Sequence, residues 1–422
     1  MFFVIGDVVG GGIYALVGTV VGRVGGIGWA GFAVALLIAL LTAGSYAELT
    51  TKYSSAGGAA RFVGQAFKVQ SLSFIVGFAV LASGMTSAAA LSRAFATDYL
   101  SVFVTSPAWL AALALISLGT AVNLVGLRHS VIVNAMFTLI ELAGLLLIAS
   151  LAIWAVGHGA GDPSNALAVK HGGEPLLLTL LAGGSLAFYA LIGFEDAVNL
   201  AEEIKAPHRT FPMALIGGVA IAGLVYLLVT IPATMLVPAD RLAEDDGNAL
   251  LTVLETAAPT FPPQIFAVIG MFALANGVLL NLIMASRLSY GMADMELLPR
   301  RLCAVNRRGS PWVAIVTTAA ITVALAAFSN LERLAGTTAL LVVVVFTIVN
   351  ITVLVLRRDI TSSEHFRIPT PIPVLATIGC VAVLTRQDAD NWLLAGGIVA
   401  AGAMLHLAAR LAAGAAEARA GR

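Results

Sequence analysis

The sequence predicts an all-α integral membrane protein of twelve spans, read as two blocks of five and a final pair. Three observations predict it. Of the 422 residues, 59% are hydrophobic and only 11% are charged, with mean hydropathy +0.96, whereas a soluble globular chain carries about 25% charged residues. Apolar segments of about 20 residues, the length that crosses hydrocarbon, recur between short polar joints. Two of these segments are interrupted by glycine and carboxylates at corresponding places, where a helix facing lipid would leave backbone groups without partners.

The spans fall near 2–21, 28–49, 71–95, 107–125, 131–157, 175–201, 212–237, 264–292, 312–329, 334–356, 371–386 and 391–411. They divide the chain into 1–157, 175–356 and 371–411, with a tail at 412–422. The eleventh is the shortest and opens on the turn-like Pro369-Thr370-Pro371-Ile372-Pro373. With the N-terminus in the cytoplasm, 17 of the 23 lysines and arginines lie inside and 6 outside. This positive-inside bias places both termini in the cytoplasm, with the protein in the plasma (inner) membrane. No basic region or small-residue cleavage site precedes the first span, so it is read as a span and not a signal peptide, and the sequence starts abruptly within it.

Composition also narrows the function classes. Basic and acidic residues balance at 23 each and no basic patch marks a nucleic-acid surface. Cys303 and Cys380 lie far apart in unlike contexts, which points to neither a disulfide framework nor a metal site. There is no His-Glu-x-x-His, Gly-x-Ser-x-Gly or His/Cys cluster to support a membrane enzyme. A channel would want a repeated ring of filter residues, and none is present. No cofactor is expected.

The first span contains Gly6-Asp7-Val8-Val9-Gly10-Gly11-Gly12-Ile13-Tyr14. Each glycine costs a helix roughly 1 kcal/mol relative to alanine, and Asp7 adds an intramembrane carboxylate. Two readings fit this stretch: a close helix-packing site, or an unwound segment lining a cavity. The second span ends in Tyr46-Ala47-Glu48-Leu49, where Glu48 is read as half of a structural ion pair at the cytoplasmic edge. The third span, with Ser83, Gly84, Thr86, Ser87 and several alanines, reads as a helix built for close packing. In the fifth span Asn134, Thr138 and Glu141 share one stripe. Glu141 lies 13 residues beyond Arg128, about 20 Å in and near the midplane. The sixth span carries Gly193-Phe194-Glu195-Asp196 in the middle of an apolar segment, again pointing to a break. Broken helices heading two corresponding blocks favour the cavity reading of both stretches.

These motifs resemble those of the amino acid–polyamine–organocation (APC) transporters. Val9-Gly10-Gly11-Gly12-Ile13-Tyr14 is similar to that family's first-helix signature, and Tyr46-Ala47-Glu48-Leu49 with Gly57-Gly58 to its second-helix motif. Phe188 to Pro207 resembles the cationic amino acid transporter branch, as does Ser286-Arg287-Leu288-Ser289-Tyr290-Gly291-Met292-Ala293 followed by Leu298-Pro299.

The resemblance implies a LeuT-type fold: two inverted five-helix repeats, helices 1 and 6 broken, and two peripheral helices. It implies a substrate carboxylate held by backbone amides at Gly10, Gly11 and Gly12, and an amine held by carbonyls at Val8, Val9, Phe188, Ala190 and Leu191. Ile192 joins this small, apolar lining, and the expected function is proton-coupled import of neutral or broad-range amino acids by alternating access. Cationic amino acids or polyamines are the alternative, since Asp7 and Glu195 would favour an added positive charge. Three departures stand out. Leu191 replaces an aromatic gate, Glu141 stands where several proton-coupled relatives have a lysine, and the cytoplasmic half of the first helix is short. Glu141, Asp7 and Glu195 are the proton-coupling candidates, with sodium as the rival ion.

Cysteines introduced at Asn165 and Asp246 test the orientation. Both should react with an impermeant thiol reagent in intact cells, whereas reaction only after permeabilisation would invert the topology.

Overall fold

Apolar segments that cannot leave a peptide group unpaired in hydrocarbon have to be helical, and in the described residues each expected span is a helix or a broken one. The computed structural model describes residues 2–53, 58–170, 173–203, 207–244, 248–359 and 365–420; for 2–3, 127–133, 199–203, 207, 405 and 408–420 it describes the backbone alone. Gly57, Lys205 and Asp246 lie outside the described residues.

The first span is split into α1 (Phe2–Val9) and α2 (Gly12–Val24). The second is α3 (Gly28–Lys52), followed by a short helix α4 (Gly58–Phe67) that buries Phe62 and Val63 and exposes Arg61 and Gln65. The third, α5 (Gln70–Ala94), continues into a π-turn (Phe95–Tyr99) and a 3₁₀ turn (Leu100–Val102). Then come α6 (Ala108–Val125) and α7 (Leu127–Gly157). The sixth span is α8 (Leu176–Ala187), a 3₁₀ turn (Phe188–Leu191) and a second 3₁₀ segment (Phe194–Glu203). The chain goes on through α9 (Pro207–Leu236), two short helices α10 (Ala239–Glu244) and α11 (Ala249–Ala257), and α12 (Pro263–Asp294). It closes with α13 (Trp312–Phe328), α14 (Leu331–Leu356), α15 (Pro371–Leu384) and α16 (Ala389–Ala420).

Seven described helices are long and apolar enough to cross a membrane, including α3, α5 with its turns, α12 and α14. The α15–α16 pair, read from sequence as two spans, bends by 110° and would count as an eighth if it is one broken span. Three more apolar helices are shorter: α2, α8 with its 3₁₀ turn, and α13. Length alone therefore supports seven or eight spans where the apolar pattern counts twelve. Part of the difference lies in α2 and α8, which the breaks have shortened, and the rest in α13 and the α15–α16 pair.

Helices α8 and α9 both pack on α3, and α12 and α14 both pack on α5. Small residues permit the closest crossings. A Cβ on Gly31 of α3 would lie 2.8 Å from the Gly183 carbonyl carbon of α8, so backbone meets backbone there.

One buried ion pair ties the cytoplasmic edge in the expected orientation. Glu48 accepts Arg357 Nε at 3.0 Å and Nη2 at 2.8 Å, and its Oε2 also accepts the Ile368 amide at 2.9 Å. Arg357 in turn donates to the Ile368 carbonyl and to Thr370. Lys52 adds bonds to the Leu356 and Asp359 carbonyls. The end of α3 is thus fastened to the α14–α15 connection, which bears out the ion-pair reading of Glu48.

The Glu48 side chain is only 2% exposed, so removing its charge strands a guanidinium in a poor solvent for it. Glu48→Gln should lower stability in detergent by about 3–5 kcal/mol. A double Glu48→Leu/Arg357→Leu variant should recover most of that loss in thermal unfolding. Equal midpoints for wild type and Glu48→Gln would show that the pair is not holding this edge.

Candidate functional site

The two breaks lie against each other. At the first, α1 stops at Val9 and α2 starts at Gly12; the Gly12 amide turns back to the Gly10 carbonyl, and the Ala15 amide reaches the Gly11 carbonyl at 3.0 Å. A Cβ on Gly12 would sit 2.7 Å from Ala190 Cα, so only glycine lets the first break rest on the second. Gly11 is wedged against Leu274 and Leu91. Both readings of the glycine run therefore hold at once, because Gly11 and Gly12 are packing contacts and also face a cavity.

At the second break Gly193 has φ +123°, backbone that glycine adopts without a Cβ penalty. Its amide donates to Glu195 Oε2 at 2.9 Å, and its carbonyl accepts the Asp196 amide at 3.0 Å. A Cβ at Gly193 would lie 2.9 Å from the Asp7 carbonyl oxygen, which brings Asp7 to the turn that carries Glu195 and Asp196. Behind this turn Phe188, Phe194, Tyr46 and Phe346 form an aromatic backing with centroids 5.0–6.0 Å apart.

Freed carbonyls need donors. Tyr226 of α9, fully buried, places its hydroxyl 2.5 Å from the Val8 carbonyl and 2.9 Å from that of Ala190. One side chain thus joins both breaks.

Between the breaks lies a narrow cavity of about 40 Å³. Val8, Gly10, Gly11, Gly12, Ala190 and Ile192 line it, together with Asp7, Glu195 and Asp196. The far wall comes from Ser83, Gly84 and Ser87 of α5 and from Asn281 and Met284 of α12. No lysine, arginine or histidine is among the described residues lining it. At one end Tyr189 is within 3.3 Å of Ser87 Oγ. At the other, a smaller recess shares Glu195 and Asp196 and runs toward Tyr46 and α4. Asp7 Oδ2 is buried without a hydrogen-bond partner among the described residues.

The sequence-derived residues separate into three groups. Those just named meet at the cavity. Val9, Phe188 and Leu191 are fully buried but do not line it. Glu141 stands apart as well. Its stripe packs on the first helix: Thr138 abuts Gly6, and Asn134 Oδ1 would be 3.2 Å from a Cβ there. Asn276 of α12 donates to Asn134 Oδ1 at 3.0 Å. The Glu141 carboxyl oxygens and Asn276 Oδ1 are buried without hydrogen-bond partners among the described residues, while Tyr14 donates to the Glu141 carbonyl at 2.8 Å.

Sequence reasoning missed Tyr226, Asn281 and the cavity role of α5. A signal was present, since Ser83 and Ser87 are one helical turn apart on a stripe within a small-residue helix. Nothing local marks Tyr226, whose partners are distant in sequence.

Two broken helices facing each other across a polar cavity, inside a bundle of apolar helices, make this the architecture of a membrane transporter. The amino acid permease family matches residues 1–386, and the chain belongs to that family. It is a family of transporters, not enzymes, whose membership implies the LeuT-type fold. The chain is similar to an uncharacterized transporter of Mycobacterium tuberculosis, 27% identical over 383 residues, covering 90% of this chain and 82% of the relative. It is also similar to cationic amino acid transporter 4 of Mus musculus, 28% identical over 415 residues, or 93% of this chain and 63% of that one. Cationic amino acid transporter 2 of Arabidopsis thaliana, vacuolar, is 26% identical over 84% of this chain and 58% of its own length. The chain thus spans about three fifths of these two eukaryotic relatives.

Tyr226→Phe keeps the ring and removes the shared donor. Leaving buried carbonyls unpaired costs about 1–3 kcal/mol, so amino acid binding should weaken about tenfold while the purified protein stays monodisperse. Titration calorimetry giving an unchanged Kd would show that the hydroxyl does not hold the breaks. Gly11→Val would disturb Leu274 and Leu91 as well as the cavity, so Gly84 is the cleaner probe of the space. A Cβ there makes only ordinary contact, 3.7 Å from Ala285 Cβ.

Proposed function

We propose that this chain is a secondary active transporter of amino acids working by alternating access, with its substrate held between the two breaks. In this reading the chain has twelve spans, two inverted repeats over 1–157 and 175–356, and both termini in the cytoplasm of the plasma (inner) membrane. The substrate carboxylate meets the glycine amides of the first break, where the positive end of α2 favours an anion. The ammonium faces Asp7, Glu195 and Asp196.

One observation carries the choice of substrate. Three carboxyl groups share the cavity and no basic side chain among its described lining balances them. A ligand with a second positive charge, or bound protons, has to supply that balance. Among broad-range amino acids the cavity therefore favours cationic ones, ahead of the neutral ones that its small, apolar wall would also admit. The names of the two eukaryotic relatives agree with this preference.

Proton coupling is assigned to Glu141. Its carboxyl oxygens are buried without a hydrogen-bond partner among the described residues, and its stripe packs on the first helix through Thr138 and Asn134. A proton taken up from one side and released to the other would bias which conformation holds substrate. Sodium is the competing ion, because carboxylate and amide oxygens also suit a hard cation.

A thermal-shift panel tests the charge preference, since a ligand that binds only the folded state raises its stability. Arginine, lysine and ornithine should stabilise most, alanine and leucine less, and glutamate not at all. Stabilisation by small neutral amino acids alone would remove the charge argument. In proteoliposomes an inward proton gradient without sodium should drive accumulation. Glu141→Gln should lose that accumulation yet keep substrate-for-substrate exchange. An absolute sodium requirement, or normal concentrative uptake by Glu141→Gln, would exclude the residue from coupling.

A further inference from the structure

A second, larger cavity opens beyond the first. It holds about 700 Å³ and is lined by Arg23, Arg93, Thr97, Asp98, Lys170 and Glu332, among others. Three elements that line the inner cavity line this one too. Along α2 the wall passes from Gly12 to Gly18, from Leu91 and Arg93 of α5 into Thr97 of the π-turn, and from Ala190 in the 3₁₀ turn back to Leu186 of α8. At about 1.5 Å per helical residue the two spaces are roughly 5–10 Å apart. In the orientation proposed above, this is the outer vestibule.

Its three cations are not equivalent. Arg23 is paired with Asp388 at 3.1 Å, and Lys170 Nζ donates to the Gly22 carbonyl at 2.8 Å. Among the described residues Arg93 makes one long bond, Nη1 to the Ala326 carbonyl at 3.4 Å, and its Nε is buried without a partner. A buried donor left unmatched is unfavourable, and a planar guanidinium is matched by a carboxylate accepting two of its N–H groups. The π-turn Phe95–Tyr99 follows directly after α5 and sets Thr97 and Asp98 on the same wall; such turns recur at functional sites. Asp98 accepts the Thr97 hydroxyl, and Glu332 reaches the vestibule from the first turn of α14.

We propose that this vestibule is an outer docking site for free α-amino acids, with Arg93 holding the α-carboxylate and Asp98 and Glu332 facing the ammonium. The proposal rests on the transport reading above. It gives the two sites opposite chemistry. The inner cavity has carboxyl groups and main-chain amides but no basic side chain among its described lining, whereas the vestibule meets the carboxylate with a guanidinium in a larger space. Binding there is open to screening by salt, while the enclosed inner cavity is screened much less. The site would concentrate substrate one step outside the inner cavity.

Equilibrium binding of L-[³H]arginine to the purified full chain in nanodiscs tests this. Wild type should saturate at two molecules per protein, and one of the two should weaken about fivefold when salt rises from about 0.05 to about 0.5 M. Arg93→Gln should saturate at one, with the salt-sensitive component gone. Arg93→Lys should restore two, the outer one weaker. Gly84→Phe, filling the inner cavity, should retain only the salt-sensitive molecule. Size-exclusion profiles matching wild type confirm that the variants are folded. A wild-type stoichiometry of one, unchanged in Arg93→Gln, would overturn the outer site and leave the transport reading standing. No saturable binding to wild type would overturn both.

Discussion

A helix that breaks inside hydrocarbon has to find partners for the peptide groups it frees, and this molecule meets that demand by setting two breaks face to face. Gly12 rests on Ala190, Gly193 turns under Asp7, and Tyr226 shares its hydroxyl between the Val8 and Ala190 carbonyls. Each of these contacts needs the others in register. The glycines let the backbones approach, the approach puts two carbonyls within reach of one hydroxyl, and that hydroxyl comes from a third helix, α9. The cavity is the space left beside this junction, which is why main-chain groups form so much of its wall.

Charge follows the same economy. Of Asp7, Glu48, Glu141, Glu195 and Asp196, Glu48 alone has a basic ion-pair partner among the described residues, in Arg357. That pair fastens α3 to the α14–α15 connection at the membrane edge and has no need of a ligand. Asp7, Glu195 and Asp196 converge on the cavity, and Glu141 is buried on a stripe whose Asn134 bonds Asn276 and abuts the first helix. Unbalanced carboxyls in such places are unfavourable unless protons or a cationic ligand complete them. A transporter whose cargo and coupling ion are both positive would use that imbalance, because the groups that destabilise the empty site are those that bind.

Much of this was legible in the sequence. The glycine run at Gly10–Gly12 and the Gly193-Phe194-Glu195-Asp196 interruption violate the helix pattern locally, so they mark their own breaks. Glu48 followed from its place at the end of a span, and the Asn134–Thr138–Glu141 stripe followed from spacing alone. What was not legible depends on contacts between distant parts of the chain. Tyr226 lies 218 residues from Val8, and no periodicity points to it. Ser83, Gly84 and Ser87 read as packing residues because small side chains serve close packing and cavity lining equally well. Sequence also could not say that Val9, Phe188 and Leu191 face into the packing around the break, since a one-residue rotation at an irregular turn redirects each side chain.

The central claim is that substrate sits at the junction of the two breaks. Its most direct test is a cryo-electron microscopy map of the full chain in nanodiscs with saturating L-arginine. The account predicts density bounded by Gly10–Gly12, by Ser83 and Ser87, and by the Asp7, Glu195 and Asp196 carboxyls, with the carboxylate end toward the start of α2. A map in which this cavity holds no ligand while arginine is bound elsewhere in the protein would contradict it.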